Sequence, residues 1–112
     1  MLLDGMLPQE YNPLMRRNRR LKAVHPGDVL RDELKERGIS VNRLAREIRV
    51  ALSRASMIAN GKRAITAETA LRLARYFGTS PELWMNLQTA YDLETTNRKV
   101  GKAIRREVNL VA

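Results

Sequence analysis

The side chains with the clearest chemical potential lie in one short segment near the middle of the chain. They are Ser53, Arg54, Ser56 and Met57. An arginine can donate two hydrogen bonds to one guanine, a serine hydroxyl can bond to several bases, and methionine can pack against a thymine methyl group. We therefore predict that these side chains contact base edges in the major groove of DNA. For Arg54, a contact with phosphate alone is the alternative.

A second set of polar and basic side chains flanks this segment and is suited to binding phosphate. Its members are Ser40, Asn42, Arg43, Asn60, Lys62 and Arg63. The first three begin a helical segment, where backbone N–H groups and the helix dipole favour an anion. Ser40 also has the residue type of a helix N-cap, a role compatible with phosphate binding. For residues 60–63, a merely solvated loop is the alternative.

Hydrophobic periodicity predicts two short helices around these residues, separated by a tight turn. The first has Val41, Leu44, Ala45 and Ile48 on one face, and the second has Leu52, Ala55, Ile58 and Ala59. Both sets follow the i, i+3/i+4, i+7 spacing of an amphipathic helix, and Asn60-Gly61 is typical of a helix end. Such a helix-turn-helix presents its second helix to the major groove. Paired amphipathic helices also occur in any all-α domain, so the spacing alone leaves both interpretations open.

The rest of the chain predicts an all-α protein, a compact five-helix bundle. Helix one follows His25-Pro26-Gly27, helix four follows Thr66, and helix five begins at Ser80-Pro81. We divide the chain into a basic arm at 1–24, disordered when free, a helix-turn-helix domain at 25–95, and a basic amphipathic segment at 96–112. For the last segment a sixth helix, a partner-binding tail and a frayed end remain open.

Composition favours a nucleic-acid partner and disfavours catalysis. The 112 residues include 21 Lys and Arg against 12 Asp and Glu, a net charge of +9, which favours a polyanion over a membrane. Cysteine is absent and His25 is the only histidine, which argues against thiolate chemistry and His-cluster metal sites. We predict no metal, no cofactor and no enzymatic activity, with His25 as a helix-start residue. No apolar run is long enough to span a membrane, so we expect a cytoplasmic protein.

Self-association is predicted through helix five and the C-terminal segment, because a single helix-turn-helix contacts few base pairs and discriminates weakly. The side chains expected at a two-fold dimer interface are Trp84, Met85, Gln88 and Tyr91, together with a stripe of the C-terminal segment formed by Val100, Ile104 and Val108. For Trp84, burial in the core of one chain is the alternative.

Several motifs, taken in order, resemble the HigA antitoxins. They are His25-Pro26-Gly27-Asp28-Val29-Leu30, Asn42-Arg43-Leu44-Ala45, Asn60-Gly61-Lys62-Arg63-Ala64-Ile65-Thr66, the run from Thr69 to Pro81, and Trp84-Met85-Asn86-Leu87-Gln88. This family is also called virulence-associated protein I and is part of the phage-repressor-like (Xre) class, which has a lambda-repressor-like fold. The resemblance covers about residues 25–93, roughly two-thirds of the chain.

The resemblance implies a type II antitoxin that neutralises a HigB-type toxin, an RNase that cleaves mRNA during translation. It also implies repression of its own operon by a dimer bound to double-stranded operator DNA, with the helix that matches residues 52–60 in the major groove. A stand-alone Xre-type transcriptional regulator without a toxin partner is the alternative, and an adjacent gene for a toxin would separate the two.

Three positions depart from the family pattern. Arg49 stands in the turn where glycine is usual, Ala51-Leu52 replaces Pro-Pro, and Ala55 replaces a larger aliphatic residue. If the turn requires a positive φ, Arg49 costs on the order of 1 kcal/mol relative to glycine. These departures bear on operator affinity and leave the expected fold unchanged.

Overall fold

The structure is a computed structural model that describes residues 23–112, so most of the basic arm predicted at 1–24 lies outside the described residues. Five helices follow one another in the described part of the chain, with no strand among them. They are α1 (Pro26–Arg37), α2 (Val41–Ile48), α3 (Leu52–Ala59), α4 (Ala67–Phe77) and α5 (Pro81–Glu107). The prediction of an all-α, five-helix protein with a helix-turn-helix is confirmed.

Three of the helices begin where the sequence predicts, because a hydroxyl side chain caps each of them. Ser40 Oγ accepts a hydrogen bond from the Arg43 N–H at 3.0 Å, and Ser80 Oγ accepts one from the Leu83 N–H at 3.2 Å. Thr66 Oγ1 accepts a longer bond, 3.4 Å, from the backbone N–H three residues later. These bonds satisfy N–H groups that have no partner inside the helix.

The core draws one fully buried large side chain from each helix. In chain order these are Leu30, Leu44, Ile58, Leu73 and Trp84, each with 2% or less of its surface exposed. The Trp84 indole lies against the Phe77 ring, and its Nε1 donates to Thr79 Oγ1 at 3.1 Å. The polar end of the tryptophan is therefore satisfied although its ring is buried.

Helix α5 is longer than the sequence indicated. It runs without interruption for 27 residues, so residues 96–107 continue helix five instead of forming a sixth helix. Beyond Leu93 most of its side chains are exposed, which means that its C-terminal half extends past the core. The stop expected near residue 95 is missing because nothing between Leu93 and Gly101 ends a helix, and Thr95 bonds back to the Tyr91 carbonyl within it.

Candidate nucleic-acid interface

The turn between α2 and α3 is built around Arg49. Its backbone is left-handed, with φ 62° and ψ 49°, and it is the non-glycine residue with positive φ in the described part of the chain. The Arg49 N–H and the Val50 N–H both donate to the Ala45 carbonyl, which closes α2. The sequence predicted this strained position. It did not predict the contact made by Arg72 of α4, whose Nη1 donates to the Ile48 carbonyl at 2.9 Å and fixes the end of α2.

Helix α3 buries one face and leaves the predicted base-contacting side chains accessible. Ala55, Ile58 and Ala59 are buried against α1 and α2. On the outer side Ser53 and Met57 are exposed, while Arg54 and Ser56 are half-buried. Arg54 forms no ion pair with any described residue.

Leu52 corrects one detail of the predicted helix face. The spacing assigned it to the buried side of α3, yet 48% of its surface is exposed. It is the first residue of α3 and lies next to the turn, ahead of the part of the helix that packs into the core. The preceding Ala51 supplies no side-chain cap, so the N-terminus of α3 has backbone N–H groups that no side chain occupies.

At the start of α2, the predicted phosphate ligands are all exposed, but one is already paired. The Arg43 Nε donates to both carboxylate oxygens of Glu47 at 3.2 Å. The Tyr76 hydroxyl also donates to Glu47, and this hydrogen bond lowers the pKa of the carboxyl and raises that of Tyr76. An exposed pair of this kind contributes little to stability, so Arg43 can exchange Glu47 for a phosphate at small cost.

The loop after α3 presents the remaining phosphate candidates from a fixed backbone. Asn60, Lys62 and Arg63 are exposed, and the Lys62 N–H donates to the Met57 carbonyl at 2.8 Å. Farther along, the buried Gln88 of α5 accepts from the Ile65 N–H at 2.8 Å. The sequence did not predict this anchor, because a glutamine on an amphipathic helix gives no sign of which distant backbone group it meets.

A junction between α1, α3 and α5 holds the end of α3 in place. His25 caps α1 by accepting the Gly27 N–H at Nδ1, 2.9 Å away, which confirms its role as a helix-start residue. Its ring meets Tyr91 edge-on, with centroids 4.8 Å apart, and burial lowers the pKa of the imidazole. A Cβ atom on Gly27 would lie 1.9 Å from the Ile58 carbonyl oxygen, so α1 and α3 touch backbone to backbone there. The sequence did not predict this contact. The one feature that could have indicated it is a glycine in the first turn of a helix.

The residues predicted for self-association separate into two groups. Trp84 and Gln88 are buried inside the chain, so they are not available to a partner, and that part of the prediction is wrong. Met85 and Tyr91 are half-buried, while Ile104 is 47% exposed. Residue type failed to distinguish them, because the N-terminal half of α5 packs on α4 and α1 and its C-terminal half does not. The exposed apolar side chains of that second half are Leu93, Val100 and Ile104, and the exposed Val108 follows directly after the helix.

Two kinds of site are not found in residues 23–112. No three His, Asp or Glu side chains there are grouped in a way that could hold a metal ion. None of the described helices combines the length and the apolar character needed to cross a membrane.

Comparison with known proteins identifies close relatives. A helix-turn-helix family model matches residues 30–84. Virulence-associated protein I of Dichelobacter nodosus is 44% identical over 92 residues, which cover 81% of each chain. The solved structure of an addiction module antidote protein of the HigA family from Coxiella burnetii is 46% identical, with a TM-score of 0.78 over 81% of this chain and 100% of that one. The antitoxin HigA of Pseudomonas aeruginosa, solved with the higBA promoter, is 43% identical, with a TM-score of 0.78 over 80% and 99%.

Proposed function

The chain belongs to the HigA family of helix-turn-helix proteins, and we propose that it is an antitoxin that represses its own promoter and neutralises a HigB-type toxin. One observation carries the DNA-binding part: the outer face of α3 is accessible in a fold whose relative from Pseudomonas aeruginosa was solved with promoter DNA. The proposal gives the chain no catalytic role.

Base reading is assigned to the outer face of α3. Ser53 and Met57 are exposed one turn apart, and Arg54 lies between them without a competing carboxylate. A guanidinium that is not neutralised within the chain is free to donate its two parallel hydrogen bonds to a guanine edge. Ser56 is half-buried and serves at the edge of this surface.

Phosphate binding is assigned to both sides of α3. Ser40, Asn42 and Arg43 lie at the start of α2, where the helix dipole favours an anion. The second clamp is the loop that holds Asn60, Lys62 and Arg63, and its backbone is fixed by the bond to Gln88. A clamp on each side of the reading helix sets its depth and its orientation in the groove.

A two-fold dimer follows from the small size of one reading unit. One α3 reaches only a few base pairs, and two copies contact half-sites about 34 Å apart, one turn of DNA. We assign the dimer contact to the exposed apolar residues of α5, centred on Leu93, Val100 and Ile104. Met85 and Tyr91 lie about 80° and 160° around the helix from this centre, and Tyr91 packs on His25, so neither belongs to the assigned contact.

Variants at Arg54 and Lys62 test the DNA-binding assignment, using fluorescence anisotropy on the promoter duplex and on a scrambled duplex of equal length. Arg54→Ala should weaken promoter binding by about 1–3 kcal/mol and relax discrimination at one base pair. Lys62→Ala should weaken both duplexes equally, and Lys35→Ala, on the exposed end of α1, should change neither. Equal losses on both duplexes for Arg54→Ala would show that this side chain does not read a base.

The antitoxin role is tested with the product of the neighbouring gene. The two proteins should co-purify, and co-expression should restore the growth of cells that the toxin alone arrests. A chain that binds its promoter but neither binds nor neutralises the neighbouring product is a stand-alone regulator, and the antitoxin role would then be refuted.

A further inference from the structure

The C-terminal half of α5 has five basic side chains on one face. They are Arg98, Lys99, Lys102, Arg105 and Arg106, and all five are exposed. Their spacing of i, i+1, i+4, i+7 and i+8 confines them to about 120° of the helix circumference, over a length of about 12 Å. We call this set the cationic stripe.

The cationic stripe lies on the side of α5 opposite its exposed apolar residues. At about 100° per residue, the centre of the set Leu93, Val100 and Ile104 lies about 180° from the centre of the stripe. A second copy that covers the apolar side therefore leaves the stripe in solvent. Dimer formation and the stripe do not compete for the same surface.

Most of the charge in the stripe is not neutralised within the described residues. Arg98 pairs with Glu94 at 3.2 Å, whereas Lys99, Lys102 and the two later arginines have no ion pair there. Like charges three and four residues apart repel and destabilise a helix. The helix dipole favours cations in the last turn, which accounts for Arg105 and Arg106 but not for the two lysines.

Some arginines on other helices of the chain are paired with a carboxylate one turn away. Arg31 pairs with Asp28 in α1, Arg43 with Glu47 in α2, and Arg72 with Glu68 in α4. What distinguishes α5 is that four neighbouring basic side chains, from Lys99 to Arg106, lie on one face without an ion pair among the described residues. A partner with several negative charges in a row removes this repulsion.

We propose that the cationic stripe binds the phosphate backbone of duplex DNA, as a second contact that reads no bases. A row of point charges without aromatic neighbours fits a phosphate backbone, and residues 93–112 contain no Phe, Tyr or Trp on which unpaired bases could stack. A basic face opposite an apolar one also occurs in helices that lie on membranes, and vesicle binding is therefore one outcome of the test.

Two contacts tie the first half of α5 to the end of the reading helix. Gln88 holds the loop after α3 through the Ile65 N–H, and Tyr91 packs on His25 beside the end of α3. The stripe begins seven residues after Tyr91, about 10 Å farther along the same helix. The stripe is therefore carried by the same helix that holds the loop after α3, and the choice of duplex DNA as its polyanion rests on the proposed function.

The test compares the full-length double variant Lys99→Gln/Lys102→Gln with the matched control Lys35→Gln/Arg75→Gln, which removes the same charge from exposed positions on α1 and α4. Binding to a long scrambled duplex is measured over a series of salt concentrations. Each lost phosphate contact should reduce the slope of log binding constant against log salt concentration by about 0.9. Loss of both lysine contacts should therefore reduce it by about 1.8 for each protomer whose stripe binds the duplex. At 0.1 M salt each contact corresponds to about an eightfold loss of affinity, and the control should retain its slope.

Three results would overturn the proposal. The first is an unchanged slope in the stripe variant, and the second is an equal fall in the control, which would show only a general effect of net charge. The third is unchanged duplex binding with loss of binding to phosphatidylglycerol vesicles, which would make the stripe a membrane contact.

Two further comparisons distinguish the effect of duplex length from the effect of base reading. A stripe effect on a promoter duplex with long flanks, absent on the minimal promoter duplex, places the contact on the flanking DNA; an effect on both places it within the minimal duplex or on a second duplex. The scrambled-duplex measurement does not depend on promoter recognition, so a chain that fails to select its promoter refutes the proposed function and leaves this test intact.

Discussion

The contact between Gly27 and Ile58 makes the sharpest prediction about stability, through the substitution Gly27→Ala. The added Cβ would lie 1.9 Å from the Ile58 carbonyl oxygen, and real Cβ contacts essentially never fall below 3.0 Å. The two backbones must therefore separate by about 1 Å. That carbonyl also accepts the Gly61 N–H at 3.0 Å, so the movement disturbs the turn that ends α3.

The magnitude follows from two opposing effects. Overpacking typically costs about 1–3 kcal/mol, and the upper end applies because the obstacle at Ile58 is backbone, which cannot rotate away as a side chain does. The higher helix propensity of alanine returns less than about 1 kcal/mol at a position so near the helix end. We expect Gly27→Ala to lower the free energy of unfolding by about 2–3 kcal/mol.

Thermal unfolding followed by circular dichroism measures this effect, at one fixed protein concentration because self-association raises the apparent stability. A loss of about 2–3 kcal/mol corresponds to a fall in Tm of about 8–24 °C for a domain of this size. The control is Gly38→Ala, where φ is +65° and no atom lies within 4 Å of the added Cβ. It tests backbone conformation alone and should cost only about 1 kcal/mol. If Gly27→Ala melts no lower than this control, α1 and α3 do not approach as closely as the structure describes.

Three further substitutions test other parts of the structure. Arg49→Gly should raise the free energy of unfolding by about 0.5–1 kcal/mol in urea titrations, because relief of the left-handed strain outweighs the conformational entropy that glycine adds to the unfolded chain. A variant less stable than the parent chain would contradict the strain. Burial lowers the pKa of His25 from 6.5 in the fold, so the unfolded chain takes up this proton first as the pH falls. Stability should therefore be complete above pH 6.5 and decline below it, and His25→Asn, which keeps a capping acceptor, should flatten that decline in pH-dependent denaturation. Ile104→Glu should shift the chain towards monomer in sedimentation, whereas Leu71→Glu, at a more exposed leucine on α4, should not; equal effects would show that the dimer does not use α5.

Features that depend on neighbouring residues could be predicted from the sequence. The caps at Ser40, Thr66 and Ser80 satisfy backbone groups within the next three residues, so residue type and position suffice to find them. The left-handed turn at Arg49 was also predictable, through a family pattern that has glycine there. The element order and the helix-turn-helix follow from the same local periodicity.

Features that depend on distant residues could not be predicted in this way. Their apolar residue types suggested that Trp84 and Ile104 both lie at a dimer interface, and only the packing of α4 and α1 decides that the first is buried and the second exposed. The bond from the Ile65 N–H to Gln88 joins residues 23 positions apart, and the approach of Gly27 to Ile58 joins two helices. Such contacts depend on how the helices pack, and no local pattern records them. The base and phosphate contacts stay predictions until the variants are measured.

Because α5 is one continuous helix, a rotation at its C-terminal half displaces whatever is attached to its N-terminal half. It is about 40 Å long; Gln88 fastens it to the loop beside the reading helix, and Ile104, about 24 Å away, lies in the proposed contact between two copies. A tilt of about 10° at that contact would move the reading helix by about 4 Å, slightly more than the 3.4 Å rise of one base pair. The bending stiffness of α5 around Thr95 therefore sets how much variation in half-site spacing the dimer tolerates. A glycine at that position should broaden the accepted spacings without touching a residue of the reading helix.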